Sequence, residues 1–150
     1  FGNNQDNWTL GSARVIVKYS EFTTIVWKLD GTQYSRFIID GYSDNKDEAV
    51  AHNFITRDGY EDILQTETIV VIQGPIYVDE ATTLPSVLTV GVGPLYVFNN
   101  GKYIEGTWRR TDIDKPFSLF DNNQNQIYVP PSTQWVHIMP MSGEVNWSES

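Results

Sequence analysis

Leu95-Tyr96-Val97-Phe98-Asn99-Asn100-Gly101-Lys102-Tyr103-Ile104-Glu105-Gly106-Thr107-Trp108-Arg109-Arg110 is the stretch on which the fold turns. Two runs rich in β-branched and aromatic residues flank Asn100-Gly101. That dipeptide accepts the positive φ angles of a tight hairpin turn. The reading is a strand over Leu95 to Phe98, a turn, and a return strand over Lys102 to Arg110. The same grammar holds upstream. Ala13 to Tyr19 places Val15, Val17 and Tyr19 on one face, and Phe22 to Leu29 is a second run. Asp30-Gly31 turns it into Gln33 to Ile39.

Further strands follow. Thr68 to Val78 is a long run interrupted by Gly74-Pro75. Val87 to Val92 and Leu95 to Phe98 repeat that shape around Gly93-Pro94, which reads as two strands with equivalent kinks. Phe117 to Phe120 and Gln126 to Val129 flank a polar turn, ended by Pro130-Pro131. Trp135 to Met139 alternates Trp135, His137 and Met139 on one face with Val136 and Ile138 on the other. Gly41 to Asp62 breaks the pattern. Ser43 or Asp44 can cap a short helix over Asp44 to Asn53, with a turn at Asp58-Gly59. The last ten residues, 141–150, read as a frayed tail. The expected fold is mainly β, with α+β as the variant. It is an antiparallel sandwich or partly open barrel of about nine short strands with one short helix, in a single domain over 1–150.

Composition excludes several functions. The chain has 150 residues, no Cys and a net charge of −9. That charge opposes a polyphosphate backbone, so nucleic acid is not an expected partner. No run reaches the ~18 apolar residues of a membrane helix. Without Cys there is no disulfide framework and no thiol nucleophile. Ten acidic residues lie between Asp40 and Val90 against only Lys46 and Arg57, so the acidity belongs to the middle of the chain. The sequence opens on Phe1 with no signal pattern, and the expectation is a piece of a longer protein.

Candidate sites are few. Asp121, Asn123 and Asn125 have the spacing of a calcium loop. Gln126 stands where such a loop needs Gly, and Ser132 where it needs Glu, so a hairpin turn is the reading. Asp40, Asp44, Asp47 and Glu48 gather hard oxygen ligands and are the better calcium candidates, though an exposed acidic loop with helix-capping roles is the preferred reading. No metal or cofactor is expected. His52 and His137 are far apart, and neither HExxH nor Gly-x-Ser-x-Gly occurs. Trp108 and Trp135 have polar neighbours and can be read as platforms for a sugar ring, or as core. Arg109-Arg110 with Lys102 and Lys115 is the one basic cluster.

Tyr96 to Arg110, with its Gly-Lys-x-Ile-Glu-Gly-Thr-Trp core, resembles the signature of the DUF3048 family of YerB-like bacterial lipoproteins, in their C-terminal domain. Phe117-x-x-Phe120-Asp121, Thr133-Gln134-Trp135-Val136-x-Ile138-x-Pro140, and Trp27-Lys28-Leu29-Asp30 with Tyr34-Ser35-Arg36-Phe37 resemble its other segments. Thr68 replaces the family's Asn at the start of one strand, and Thr133-Gln134 reverses its Gln-Thr. The resemblance implies an extracytoplasmic domain anchored through an upstream lipidated cysteine, with an N-terminal domain as neighbour, and it brings no catalytic residue. The expected function is non-enzymatic protein or envelope interaction. The alternatives are a carbohydrate or cell-wall binding module, and a small hydrolase using His137 or the acidic loop. Arg36, Glu105, Trp108, Arg109 and Trp135 are the candidate binding residues. Glu105 stands out as a charge that the hairpin does not need, and Arg36 or Arg109 are possible partners for it.

Overall fold

Asn100 and Gly101 have φ angles of 49° and 80°, and Asn99 lies opposite Lys102. The hairpin therefore has a two-residue loop of the primed type, whose twist matches that of its strands. Gly31, with φ 66°, opens the other expected turn, between Asp30 and Gln33.

The computed structural model describes residues 7–40, 50–51, 53–55, 59, 61–78, 80–81 and 85–149. Among them are sixteen strands and no helix. In chain order these are β1 (Thr9–Leu10), β2 (Arg14–Ser20), β3 (Thr23–Asp30), β4 (Gln33–Asp40), β5 (Val50–Ala51), β6 (Asn53–Ile55), β7 (Glu61–Ile63), β8 (Gln65–Thr66), β9 (Thr68–Gly74), β10 (Ile76–Val78), β11 (Pro85–Val87), β12 (Gly91–Asn99), β13 (Lys102–Arg110), β14 (Ser118–Asp121), β15 (Gln134–Pro140) and β16 (Glu144–Ser148).

Two sheets make a sandwich. One has the order β16-β2-β3-β4-β5, with β8 also on β4. The other has the order β1-β13-β12-β9-β15, with β14 also on β13. The second sheet is mixed, not purely antiparallel as expected, because β15 runs parallel to β9. β10 and β11 form a separate two-stranded arm.

β9 explains the layering. Each of its seven residues is buried, as in strands covered on both faces. On one face Ile69 and Val71 join Phe98 and Met139 against Val15, Val17, Ile25, Trp27 and Tyr34 of the facing sheet. On the other, Val70 and Ile72 join Leu95, Val97, Ile104 and Trp108, with Trp8, Ile127, Phe117, Leu119 and Val129 packed against them. β14 extends the sheet itself, and the segment after it covers this outer face through Ile127 and Val129.

Trp108 closes a gap in the ladder. The β9–β12 pairing stops at Ile72 and Leu95, because Pro94 has no N–H to donate. The indole Nε1 of Trp108 instead donates to the Gln73 carbonyl at 2.8 Å. The ring passes over Gly93, where a Cβ would stand 2.2 Å from the Gln73 oxygen and 2.6 Å from Nε1. Gly106 is likewise required, since a Cβ there would lie 1.8 Å from the Phe120 oxygen.

Four local expectations are corrected. The helix over Asp44 to Asn53 is absent at its described end, where Val50–Ala51 pairs with Phe37 and Ile38 of β4 and Asn53 opens β6; the open edge of β4 offers Val50 a ladder. Residues 44–49 lie outside the described residues. The frayed tail is instead β16, held antiparallel on β2, with Val145 and Trp147 turned to the core. The two Gly-Pro pairs are not equivalent, since Gly74 ends β9 while Gly93-Pro94 lies inside a continuous β12. Gln126 to Val129 is no strand, only a bridge at Gln126. The count rose from about nine because seven of the strands are two or three residues long, too short to show a period.

Trp108→Phe should lower the unfolding free energy by at least ~1–3 kcal/mol, the penalty of a buried carbonyl left unpaired. Gly93→Ala should cost about as much through overpacking. Because both changes break the same bond, the double variant should lose less than the two losses combined. Urea unfolding of the four proteins measures this; strict additivity would contradict the bond's role.

Candidate functional site

His137 lies where the two sheets meet. The alternation of β15 sends it inward with Met139, and it is 1 % exposed. Its Nε2 lies 2.9 Å from Trp27 Nε1 on β3, and its Nδ1 lies 2.5 Å from the Tyr19 hydroxyl on β2. An indole N–H only donates, so Nε2 must accept. The neutral imidazole therefore carries its proton on Nδ1 and donates it to Tyr19. Both ring nitrogens are engaged, and one residue of β15 stitches two strands of the facing sheet.

Trp135 and Arg36 extend this cluster outward. The Trp135 ring meets Trp27 edge-on at 5.6 Å between centroids. The Arg36 guanidinium lies 4.9 Å from the Trp135 ring centroid and 5.9 Å from that of Trp27. These are cation–π distances. Both Arg36 and Trp135 are half-buried.

The electrostatics follow from burial. Loss of water, then the nearby Arg36 charge, lowers the His137 pKa from 6.5 to about 3. Burial raises the Tyr19 hydroxyl, partly offset by Arg36. Burial also lowers Arg36. His137 is thus neutral at physiological pH and has no lone pair directed to solvent. It has the ring orientation of a structural crosslink rather than of a general base. A hydrolase centred on His137 does not fit this geometry.

The other expected residues separate. Trp108 is 1 % exposed, meets Phe117 edge-on and cannot stack on a ligand. Arg109 lies over the Phe120 ring at 4.5 Å and donates to the Gln124 side chain. Glu105 is exposed on β13 beside Tyr96 of β12, and burial first, then the Glu105 charge, raises the Tyr96 pKa. Glu105 lines an open cleft of about 250 Å³ with Asn7, Thr9, Tyr103, Asp121, Asn122 and Asn123. Of the calcium candidates, Asp40 ends β4, while Asp44, Asp47 and Glu48 lie outside the described residues. Among the described residues no three His, Cys, Asp or Glu side chains gather to hold a metal ion.

Asp121 has a structural task. Its Oδ1 accepts the backbone N–H groups of Asn123 and Asn125, both at 2.9 Å, and its Oδ2 accepts from the Asn7 amide. The turn after β14 is thus closed by one carboxylate, with Gln124 at φ 67°. Sequence reasoning missed Tyr19 and Trp27 as partners of His137. The inward parity of all three residues was readable, but which inward residues meet across the sandwich depends on strand order.

Residues 15–136 match the family described as "Protein of unknown function (DUF3048) C-terminal domain". The chain belongs to this family. Its fold is similar to the crystal structure of YerB protein from Bacillus subtilis, with a TM-score of 0.66 at 14 % identity. The match covers 92 % of this chain and 45 % of that one, so the DUF3048 domain spans less than half of this relative's length. At that identity the likeness is one of fold. No curated protein matches the chain.

The His137 pKa sets a pH dependence. Between pH 6.5 and about 3 the unfolded chain binds a proton at His137 that the folded DUF3048 domain does not. The contribution is complete above pH 6.5 and falls as pH drops, by up to ~1.4 kcal/mol per unit. His137→Gln lacks this term. The stability difference between wild type and variant should therefore shrink from pH 7 to pH 5 in paired urea titrations. A constant difference would contradict a neutral buried imidazole.

Proposed function

We propose that this chain is a non-enzymatic binding domain of a bacterial surface lipoprotein, held outside the cytoplasm by a lipidated cysteine upstream and acting through protein or envelope contacts. The observation that carries binding over catalysis is the tied imidazole of His137, with Tyr19 on Nδ1 and Trp27 on Nε2. The lipoprotein part rests on the resemblance of Tyr96 to Arg110 to the YerB-like pattern. In the source bacterium, the full-length protein should sediment with the envelope and take up a fatty-acid label. A cytosolic, unlabelled protein would overturn the reading.

A cell-wall glycan is the second reading, favoured by the cleft around Glu105. Glu105 with Asn7, Asn122 and Asn123 supplies the acceptors and donors that hydroxyl groups need. Trp108 is buried and supplies no platform for it. Glu105→Gln should cut peptidoglycan retention in a pull-down at least several-fold while leaving the melting temperature unchanged. Equal retention removes the glycan reading and leaves the protein-contact reading in place.

A further inference from the structure

The apolar cover over the outer face of β9, β12 and β13 stops one strand short. Residues 117–129 pack against the outer face of β9, β12 and β13, over Val70, Ile72, Leu95, Val97, Ile104 and Trp108. In register with Val70 and Ile72 on the parallel neighbour β15 lie Val136 and Ile138. They continue the same apolar face, yet they are 50 % and 43 % exposed. Met141, bonded through its N–H to the Gly74 carbonyl, carries the strip to the base of the β10–β11 arm and is 53 % exposed. The arm itself exposes Ile76, Tyr77 and Val78.

β15 is also the last strand of its sheet among the described residues. An apolar row on an edge strand invites unwanted pairing unless something covers it. Charge is the usual protection. Here the stretch from Gln134 to Gly143 has no Asp, Glu, Lys or Arg, in a chain of net charge −9.

We infer that this strip, Val136, Ile138 and Met141 with the β10 arm, is the docking surface for the N-terminal region of the same polypeptide. The inference rests on the reading of the chain as one part of a longer lipoprotein. Three observations select that occupant. The matching family is itself described as a C-terminal domain. The similar YerB chain has more than half its length outside the match. The strip is uncharged, which suits an apolar neighbour held by a covalent tether. A short tether supplies an effective concentration near millimolar, so a modest inter-domain interface suffices.

The test uses the full-length protein with a photo-crosslinking residue in place of Ile138, and a control in place of Lys28 on the other sheet. The expected result is an intramolecular crosslink from position 138 to peptides N-terminal of this domain. It should be independent of protein concentration and absent from position 28. Val136→Lys should abolish it with the far-ultraviolet circular dichroism unchanged. Should that variant misfold, Met141→Lys, beyond the strand, makes the same test. Crosslinks between chains that grow with concentration would assign the strip to a second copy and overturn the proposal. Solvent adducts alone would also overturn it. Envelope sedimentation of the same protein is scored separately. Envelope association without a crosslink sinks the docking surface alone, and a crosslink in a cytosolic protein sinks the lipoprotein reading alone.

Discussion

A strand buried on both faces constrains everything around it, and β9 is that strand. With every residue buried, each backbone group on it needs a protein partner and each side chain needs an apolar or hydrogen-bonded home. β12 supplies antiparallel partners on one edge and β15 parallel ones on the other. Where Pro94 ends the first ladder, the Trp108 indole takes over at Gln73. The Gln73 side chain, also buried, donates to the carbonyls of Pro140, at the end of β15, and of Gly143 beyond it. The residues that most resemble a family signature are thus those that keep β9 satisfied. Gly106 lets Phe120 approach, and Trp108 closes the gap that Pro94 leaves.

The inter-sheet contact has a comparable demand for polar satisfaction. Trp27 and His137 are both buried, and each has a ring nitrogen that would be costly to leave unpaired. They pair with each other, and Tyr19 completes the chain. A protonated imidazole would set an N–H against the Trp27 N–H, so the arrangement selects the neutral form by geometry as well as by burial. Arg36 beside Trp135 adds a positive charge that works in the same direction. The cluster has the residue types of a catalytic site, but its hydrogen bonds all point inward.

What was legible in the sequence was local. Asn100-Gly101 and Asp30-Gly31 marked both hairpins, because positive φ at a two-residue loop leaves a compositional trace. The alternation of Trp135, His137 and Met139 against Val136 and Ile138 gave the correct faces of β15. Pairing across distance left no such trace. β15 lies parallel to β9 although some sixty residues separate them, and β16 joins β2 across nearly the whole chain. The tail was misread because Glu144, Asn146 and Ser148 face out, and their polarity hid the inward Val145 and Trp147. Trp108 and Trp135 look alike in composition, yet one fills the core and the other reaches the half-open edge beside Arg36.

These facts also decide where function can reside. Trp108 of the Glu-Gly-Thr-Trp segment is occupied with backbone satisfaction and Gly106 with the close approach of Phe120, so these residues follow from folding and say little about a ligand. Glu105 is the exception within it, since the residues on either side meet structural needs while Glu105 is exposed and lines an open cleft. The apolar strip on β15 is the second exception, because a sandwich that seals β9 so thoroughly on one strand's width leaves Val136 and Ile138 open on the next. Residues that the core does not require, held in place by a core that is strict, are where a partner or ligand can act without cost to the fold. In this DUF3048 domain the two such places lie on opposite margins of one sheet, at β13 and at β15, so a contact at one margin leaves the other free.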